Sequence, residues 1–227
     1  MIEVRSLVKC FGARRVLDGL SLRVEPGQPV VLIGANGAGK TTLMRILATL
    51  MRPTSGSIWV GGLNVCSAGR QVRRIVGFLS HQPLLYEDLT AEENLRLYAR
   101  LYGLADERGR VGALLERAGL AAWRAERVRV FSRGMQQRLA LARLFLHRPH
   151  VLLLDEPHSG LDAPGLELLE GLLREAAGAG DTILMATHDD VRARAVGWRV
   201  QRLAGGRCMP AADVAVDGAC GQGAHGG

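Results

Sequence analysis

The fold is decided by the stretch Val30-Val31-Leu32-Ile33-Gly34-Ala35-Asn36-Gly37-Ala38-Gly39-Lys40-Thr41-Thr42. Its apolar start, Val30–Ile33, predicts a buried strand, and the apolar spacing in Thr41–Leu50 predicts a helix. Between them, Gly34–Thr41 fits the pattern G-x-x-x-x-G-K-[ST], whose glycines let successive backbone amides point inward around an anion. Because strand, turn and helix follow in the required order, the stretch favours a phosphate-binding loop over an ordinary glycine-rich turn.

The residue types of this loop fit the phosphate chain of a nucleotide such as ATP. We expect Lys40 to reach the β- and γ-phosphates as a point charge, and the Thr41 hydroxyl to ligate Mg²⁺. Thr42 is placed to bind a neighbouring phosphate oxygen. The predicted nucleotide-binding residues here are Gly34, Ala35, Asn36, Gly37, Ala38, Gly39, Lys40, Thr41 and Thr42.

The composition is that of a packed globular protein. The 227 residues are 48% hydrophobic and 22% charged, which excludes global disorder, collagen-like repeats and a coiled coil. No apolar run approaches the ~18 residues of a membrane span, and the first residues lack the features of a signal peptide. We therefore expect a cytosolic protein that acts at a membrane only through a partner.

The net charge of +7 is a weak indication of a nucleic-acid partner. Only Lys9 and Lys40 are lysines, so 29 − 2 = 27 of the basic residues are arginines, and they are spread along the whole chain. This skew indicates a compositional bias rather than a binding patch, and we expect no nucleic acid to bind. The cysteines lack metal-ligand spacing and are expected to be reduced: Cys10, Cys66, Cys208 and Cys220.

Strands and helices alternate through much of the chain, which predicts an α/β fold with a mostly parallel sheet. Alternating apolar residues in Ile2–Lys9 and Leu20–Val24 predict a small antiparallel β subdomain at the start. A helix is predicted over Gly165–Ala177. The other predicted strands are Ser57–Val60, Ile75–Leu79, Val151–Leu154, Ile183–Ala186 and, as a last edge strand, Arg199–Leu203.

Between Thr90 and His147 helical periodicity replaces the strand pattern, which predicts an inserted helical subdomain at about residues 90–147. Thr90 and Glu93 have the spacing of a capping box, so a helix should begin there. A second helix is predicted over Arg108–Ala118. The glycine- and alanine-rich residues after Pro210 predict a disordered tail, so we expect one domain over residues 1–210 and a tail over 211–227.

Two adjacent carboxylates, Asp155 and Glu156, follow the predicted strand Val151–Leu154. Ligands of open parallel sheets bind outside the carboxyl ends of the strands, so these acids should lie beside the phosphates. Asp155 would hold Mg²⁺, and Glu156 would polarise the water that attacks the γ-phosphate. The alternatives are solvated loop charges or a helix cap before Pro157.

Two polar side chains follow two other predicted strands. His188 comes directly after Thr182–Thr187, where its imidazole could donate to the γ-phosphate or to Glu156, although a structural histidine is the alternative. Gln82 follows Ile75–Leu79, and its amide could bridge Mg²⁺ and the attacking water. We therefore take Glu156, His188 and Gln82 as candidate catalytic residues, and Thr41, Gln82 and Asp155 as candidate Mg²⁺ ligands.

A second anion-binding helix end is predicted within Phe131-Ser132-Arg133-Gly134-Met135-Gln136-Gln137-Arg138. Ser132 is a good N-cap, and Gly134 allows close approach to the backbone. If the first loop holds one nucleotide, this helix end can serve a nucleotide held by another copy, which predicts a two-fold dimer with two ATP molecules at its interface. A plain capped helix is the alternative.

These motifs together resemble the nucleotide-binding subunits of ATP-binding-cassette (ABC) transporters, over about Ile2 to Cys208. The resemblance implies that Phe11 stacks on adenine, that Gln82 is the Q-loop glutamine, and that His188 is the switch histidine. It implies two subunits that sandwich ATP head to tail and drive membrane permease subunits from the cytoplasmic side. The signature motif would be Ser132, Arg133, Gly134, Met135 and Gln136, and the partner-contacting D-loop Ser159, Gly160, Leu161 and Asp162.

The signature departs from the common Leu-Ser-Gly-Gly-Gln at Phe131, Arg133 and Met135 and looks like the exporter-type branch. Arg133 would add charge toward the opposing γ-phosphate. Within that branch, Phe78–Leu95 and Leu139–Leu144 are similar to the cytochrome c maturation, or heme exporter, ATP-binding family, which implies a role in heme export. ATPases that export drugs, lipids or polysaccharide remain alternatives, as does a soluble ABC ATPase that acts on nucleic acid.

Overall fold

A computed structural model describes residues 1–80, 82–195 and 197–210 of the chain. The strands are β1 (Ile2–Phe11), β2 (Arg14–Val24), β3 (Val30–Ile33), β4 (Ser55–Val60), β5 (Leu63–Asn64), β6 (Val76–Leu79), β7 (Val151–Asp155), β8 (Thr182–Thr187), β9 (Arg199–Ala204) and β10 (Arg207–Pro210). The helices are α1 (Lys40–Leu47), α2 (Gly69–Ile75), α3 (Ala91–Tyr102), α4 (Glu107–Arg117), α5 (Arg133–Phe145), α6 (Ala163–Gly178) and α7 (Asp190–Ala195). The predicted tail and Cys220 lie outside the described residues.

The strands form two sheets, and the predicted α/β class is confirmed. The larger sheet has the order β10-β9-β3-β8-β7-β6, and the smaller one has the order β2-β1-β4-β5. In the larger sheet β9, β3, β8, β7 and β6 are parallel, and only β10 runs antiparallel to its neighbour. The carboxyl ends of β3, β8, β7 and β6 therefore meet at one edge of the sheet.

The smaller sheet is the predicted antiparallel subdomain, but its first hairpin is longer than the sequence indicates. β1 and β2 pair from Ile2 with Val24 to Phe11 with Arg14. The pairing shifts register between Val4 and Leu7, where Ser6 has a positive φ of 46°. Such irregularities shift side chains between faces, so the apolar alternation disappears from part of each strand.

The central strands provide a rigid platform for the residues that follow them. Every residue of β3, β7 and β8 is buried. Alternate residues of these strands join two separate apolar clusters, one packed around α1 and the smaller sheet and the other around α5 and α6. The carboxyl ends of the strands are thus fixed by packing on both faces of the sheet.

The inserted helical unit has its own core. Apolar residues of α3, α4 and α5 form a third cluster, centred on Leu95, Leu115 and Leu139. The capping box at its first helix is confirmed: Thr90 Oγ1 accepts from the Glu93 amide at 3.1 Å, and Glu93 Oε2 accepts from the Thr90 amide at 2.8 Å. The backbone hydrogen bond from Thr90 lowers the pKa of Glu93.

Three local predictions need correction. The predicted edge strand Arg199–Leu203 is an inner strand, because a turn at Gly205 and Gly206 brings β10 alongside it as the edge. The first helix ends at Leu47 rather than Leu50, since Thr49 has a left-handed φ of 63°. Helix α2 was not predicted, because its single buried residue, Val72, gives no apolar period.

Two findings concern the chain as far as the structure describes it. None of the helices in residues 1–80, 82–195 and 197–210 is long and apolar enough to cross a membrane. The three described cysteines, Cys10, Cys66 and Cys208, are free thiols. Burial raises the pKa of the Cys208 thiol to about 11, so this thiol stays protonated at neutral pH.

Candidate active site

The glycine-rich loop joins β3 to α1 at the carboxyl edge of the larger sheet, and its glycines are required by space as well as by conformation. Gly37 and Gly39 have positive φ angles of 79° and 108°. A Cβ on Gly39 would lie 2.8 Å from Leu17 Cδ2, and one on Gly34 would lie 2.5 Å from the carbonyl oxygen of Leu203. Any side chain at these positions would force the loop away from the sheets that support it.

Lys40, the first residue of α1, closes the loop on itself. Its side chain is only 6% exposed. The ammonium group donates to the carbonyl oxygen of Gly34 at 2.6 Å and to that of Ala35 at 3.3 Å. The charge is therefore held at the centre of the loop, beside the first amides of the helix.

Glu156 turns sharply away from the end of β7. Its φ is +53°, a conformation that costs about 1–3 kcal/mol for a residue with a side chain. Oε2 accepts from Thr187 Oγ1 at 3.1 Å, and Oε1 lies 2.9 Å from His188 Nδ1. The carboxylate is thus held from two sides by the end of the neighbouring strand β8, which brings Glu156 and His188 together.

The loop and the carboxylates border one cavity of about 300 Å³. Asp155 is 2% exposed at the end of β7 and reaches the cavity beside Glu156. The lining residues are Arg14, Val16, Asn36, Gly37, Gly39, Lys40, Thr41, Thr42, Asp155 and Glu156. A lysine ammonium, threonine hydroxyls and two carboxylates around one cavity are the groups that a magnesium-bound phosphate chain requires.

Arg14 and Val16 are lining residues that the sequence reasoning missed. Both belong to the start of β2, which the apolar alternation did not identify as a strand. Pairing with β1 carries this part of β2 over the loop, and Gly39 packs directly against Val16. Only their position between the two predicted strands Ile2–Lys9 and Leu20–Val24 could have indicated a role.

The donor set of the cavity fits a Mg²⁺ ion. Thr41 supplies a hydroxyl oxygen and Asp155 a buried carboxylate, and Mg²⁺ prefers oxygen ligands completed by phosphate oxygens and water. Within the described residues, no group of three or more His, Cys, Asp or Glu side chains could hold a metal ion by itself. The protein ligands would therefore be few, as is usual when a nucleotide brings the ion.

Several predicted nucleotide-binding and catalytic residues lie outside the lining of this cavity: Phe11, Gly34, Ala35, Ala38, Gln82 and His188. Gln82 is exposed two residues after Ser80, whose hydroxyl donates to the carbonyl oxygen of Gln82 at 2.8 Å. Phe11, at the tip of the first hairpin, is 47% exposed, and the ammonium of Lys9 lies 4.9 Å from its ring centre. Lys9 thus covers one face of the ring, and neither Gln82 nor Phe11 is part of the cavity wall.

The predicted second anion site lies at the start of α5. Ser132 caps this helix, because its hydroxyl accepts from the amide of Met135 at 3.2 Å. The motif packs against the segment Ser159–Asp162: a Cβ on Gly134 would lie 2.7 Å from Asp162 Oδ2, and one on Gly160 would lie 2.5 Å from Arg133 Nε. Arg133 therefore lies across Gly160 of its own chain.

Asp162 connects this motif to the next helix and to the helical unit. Its Oδ1 accepts from the Gly165 amide at 3.0 Å, which caps α6, and it lies 3.4 Å from Arg138 Nε. Arg138 also donates to the carbonyl oxygen of Ala118, beyond the end of α4, at 2.8 Å. A shift of Asp162 would therefore disturb side-chain and backbone contacts of α5, α6 and the end of α4.

Comparison with known proteins gives consistent matches. The family model described as ABC transporter matches residues 17–159. The daunorubicin resistance ATP-binding protein DrrA3 of Streptomyces coeruleorubidus is 42% identical over 82% of this chain, which spans 60% of that relative's length. The cytochrome c biogenesis ATP-binding export protein CcmA of Nitrosomonas europaea is 35% identical over 84% of this chain and 90% of its own.

Solved structures match over nearly the whole chain. A structure described as the ATP-binding subunit of an ABC transporter has a TM-score of 0.85 at 32% identity, and the match covers 93% of this chain and 90% of the other. The ATP-binding cassette MJ0796, a dimer bound to ADP and Pi in a post-hydrolysis state, has a TM-score of 0.81 at 26% identity, with 91% and 96% covered. Both likenesses extend to sequence as well as fold.

Proposed function

The chain belongs to the ABC transporter family, and on that premise we propose that it binds and hydrolyses ATP to drive a membrane partner. The observation that carries the proposal is the single cavity that joins Lys40, Thr41, Asp155 and Glu156. These residues come from two separate strand ends and meet only because β3 and β7 are both neighbours of β8. The dimeric relative with bound ADP and Pi supports this chemistry.

The loop residues bind and orient the phosphates. Lys40 would exchange its contacts with the carbonyl oxygens of Gly34 and Ala35 for contacts with the β- and γ-phosphates. Thr41 and Asp155 would hold Mg²⁺, which supplies charge neutralisation on the phosphate oxygens. Gln82 is a further ligand in this proposal, after movement of the exposed segment that carries it.

Glu156 is the proposed general base. Its carboxylate is oriented by Thr187 and His188, so one oxygen can accept the proton of a water molecule placed in line with the γ-phosphate. His188 is 62% exposed and can also turn to donate to the phosphate. Deletion of a general base of this kind lowers turnover by about 10²–10⁴-fold.

A second copy of the chain is the proposed partner at the nucleotide. Ser132 and the start of α5 present free amides and a helix N-terminus on an element that does not line the chain's own cavity. Phe11 on the hairpin tip would stack on adenine. The dimeric cassettes among the solved structures support the pairing of two copies. In the proposed pair the copies are arranged head to tail, and each signature motif closes the other copy's site.

The proposal extends to the membrane partner and to the cargo that it carries. We propose attachment to permease subunits on the cytoplasmic side, with heme export for cytochrome c biogenesis as the role. The match to a cytochrome c biogenesis export protein supports this role. The higher identity to a daunorubicin resistance protein favours drug export as the second candidate.

The ATPase proposal is tested with Glu156→Gln, which removes the base but keeps the shape of the side chain. We expect turnover to fall at least ~100-fold while ATP binding and ATP-dependent dimerisation persist. Glu170→Gln is the matched control, because Glu170 is an exposed glutamate on α6. Undiminished turnover in Glu156→Gln, in a preparation free of other ATPases, would refute the assignment of the base.

The cargo is tested by capture of tagged Glu156→Gln protein, loaded with ATP, from detergent-solubilised native membranes. Small multi-span cytochrome-maturation subunits, with heme absorbance in the eluate, are the expected companions. A different permease would leave the ATPase proposal standing and replace heme by another cargo. Recovery of ribosomes or nucleic acid in place of a permease would overturn the transporter role.

A further inference from the structure

A second cavity lies at the opposite edge of the sheet from the nucleotide site. It has a volume of about 510 Å³, within the range of small-molecule sites. His150 and Asp181, which directly precede β7 and β8, mark its position at the amino-terminal ends of the strands. Its other walls come from α4, from the end of α5 and from α6, so it lies between the helical unit and the sheet.

The inner wall of this cavity is apolar. Leu172 and Ala176 of α6 are buried, Leu114 of α4 is half-buried, and Phe145 ends α5. Leu114 packs against the core of the helical unit, whereas Phe145 packs against the cluster beneath α6. The body of a bound molecule would therefore contact apolar side chains from both units at once.

Polar and charged groups surround the mouth, and each acid among them has a basic side chain next to it. Arg117 of α4 pairs with Glu175 of α6, and His150 lies 3.3 Å from Asp181. This accounts for both carboxylates in the lining. Each acid is thus already occupied by a neighbouring base.

The cavity lining contains two further arginines besides Arg117. Among the described residues, Arg110 and Arg148 have no ion-pair partner, although both line the cavity. Burial lowers the pKa of Arg110, and the nearby charge of Arg148 lowers it further, while the charge of Asp106 offsets part of this effect. Arg148 is held at a left-handed φ of 51°, a conformation that side chains rarely adopt. Two like charges beside an apolar pocket are relieved by an anion bound between them.

From this arrangement we propose that the cavity is a binding site for an amphipathic organic anion, with a carboxylate or sulfonate between Arg110 and Arg148 and an apolar body against Leu114, Phe145 and Leu172. Such a ligand would fasten α4 of the helical unit to α6 of the sheet. The site shares no residue with the nucleotide cavity, so this inference does not depend on the proposed ATPase activity.

The test uses naphthalene-2-sulfonate as the anionic probe and 2-naphthalenemethanol as its neutral counterpart. Both are titrated calorimetrically into the full chain with excess ADP and Mg²⁺, so that the phosphate-binding loop is not a competing anion site. We expect the sulfonate to bind at least tenfold more tightly than the alcohol, because only the sulfonate carries a negative charge that can pair with the two guanidinium groups.

Variants identify the site. Arg110→Gln and Arg148→Gln should each weaken sulfonate binding about tenfold, and Ala113→Trp should block it by filling the cavity. Arg108→Gln is the matched control, since Arg108 is an exposed arginine on the same helix that does not line the cavity. Thermal unfolding of each variant checks that it is folded. If an arginine variant does not fold, Ala113→Trp still tests whether the sulfonate binds in this cavity.

Several results would overturn the proposal. Absence of sulfonate binding at millimolar concentration would do so, as would equal affinity for the sulfonate and the alcohol. Binding that is unchanged in Arg110→Gln, Arg148→Gln and Ala113→Trp would place the anion elsewhere on this arginine-rich surface. A loss in Arg108→Gln as large as in Arg110→Gln would indicate general charge attraction instead of a site.

Discussion

Replacement of Gly134 by alanine tests whether its tight contact with Asp162 outweighs the gain in helix propensity in the free energy of unfolding. Gly134 is the second residue of α5, where alanine would ordinarily stabilise the helix by up to about 1 kcal/mol. Its Cβ, however, would lie 2.7 Å from Asp162 Oδ2 and 2.8 Å from Asp162 Cγ, closer than a real Cβ approaches its neighbours. The carboxylate is held by the Gly165 amide and by Arg138, so it cannot turn away without loss.

The magnitude follows from what Asp162 would give up. Loss of an N-cap costs about 1 kcal/mol, and a partly buried ion pair contributes up to about 1 kcal/mol more. These losses cancel or exceed the propensity gain, so Gly134→Ala should leave the free energy of unfolding unchanged or lower it by about 1 kcal/mol. Gly171→Ala, in the interior of α6 with no atom within 4 Å of the new Cβ, should instead raise it by about 0.5–1 kcal/mol.

Urea unfolding of the two variants and the parent chain measures this difference. The reasoning requires Gly134→Ala to be about 0.5–2 kcal/mol less stable than Gly171→Ala. Turnover should fall in Gly134→Ala alone, because its displaced Asp162 belongs to the segment proposed to contact the second copy. If both variants gained the same stability, the contact between Gly134 and Asp162 would not be tight, and the reasoning would fail.

Two further predictions concern Thr187 and His147. Thr187→Val removes the hydroxyl that donates to Glu156, so turnover should fall about fivefold while the ATP affinity stays unchanged. Steady-state kinetics measures the turnover, and nucleotide titration measures the affinity. An unchanged rate would contradict the positioning role of Thr187. Burial lowers the pKa of His147 to about 4, below its unfolded value of 6.5. The neutral imidazole therefore contributes at most about 3 kcal/mol to the free energy of unfolding above pH 6.5, and this contribution is lost as the pH falls toward 4. His147→Phe keeps the stacking on Tyr102 and should flatten this dependence in urea unfolding between pH 7 and 4.5; an identical slope would contradict the assignment.

Local signals predicted the elements around the site well. The strand, loop and helix at Val30–Leu47 follow from a short apolar run, spaced glycines and helical periodicity, all of which act within a few residues. The start of α3 was predictable because the capping box of Thr90 and Glu93 is a local hydrogen-bond pair. Sequence order along parallel strands was also enough to bring Glu156 and His188 to one edge.

The missed features depend on contacts between distant segments. β10 is a four-residue edge strand that contains Pro210 and forms only because the turn at Gly205 folds it onto β9. Arg14 enters the cavity through the register of an irregular hairpin, which no local period records. The packing of Gly134 on Asp162 joins segments 28 residues apart, and only the folded chain reveals it.

The internal contacts of Lys40 have a consequence for nucleotide selection. Because its ammonium already bonds to the carbonyl oxygens of Gly34 and Ala35, the loop has its curved shape before a phosphate arrives. Binding therefore orders little additional backbone, and the entropic cost of association falls mainly on the nucleotide. The phosphate chain must, however, compete with two carbonyl dipoles for one cation. A nucleotide with a single phosphate lacks the β- and γ-phosphates that are proposed to make that exchange, so the loop discriminates by phosphate number before any contact with the base is made.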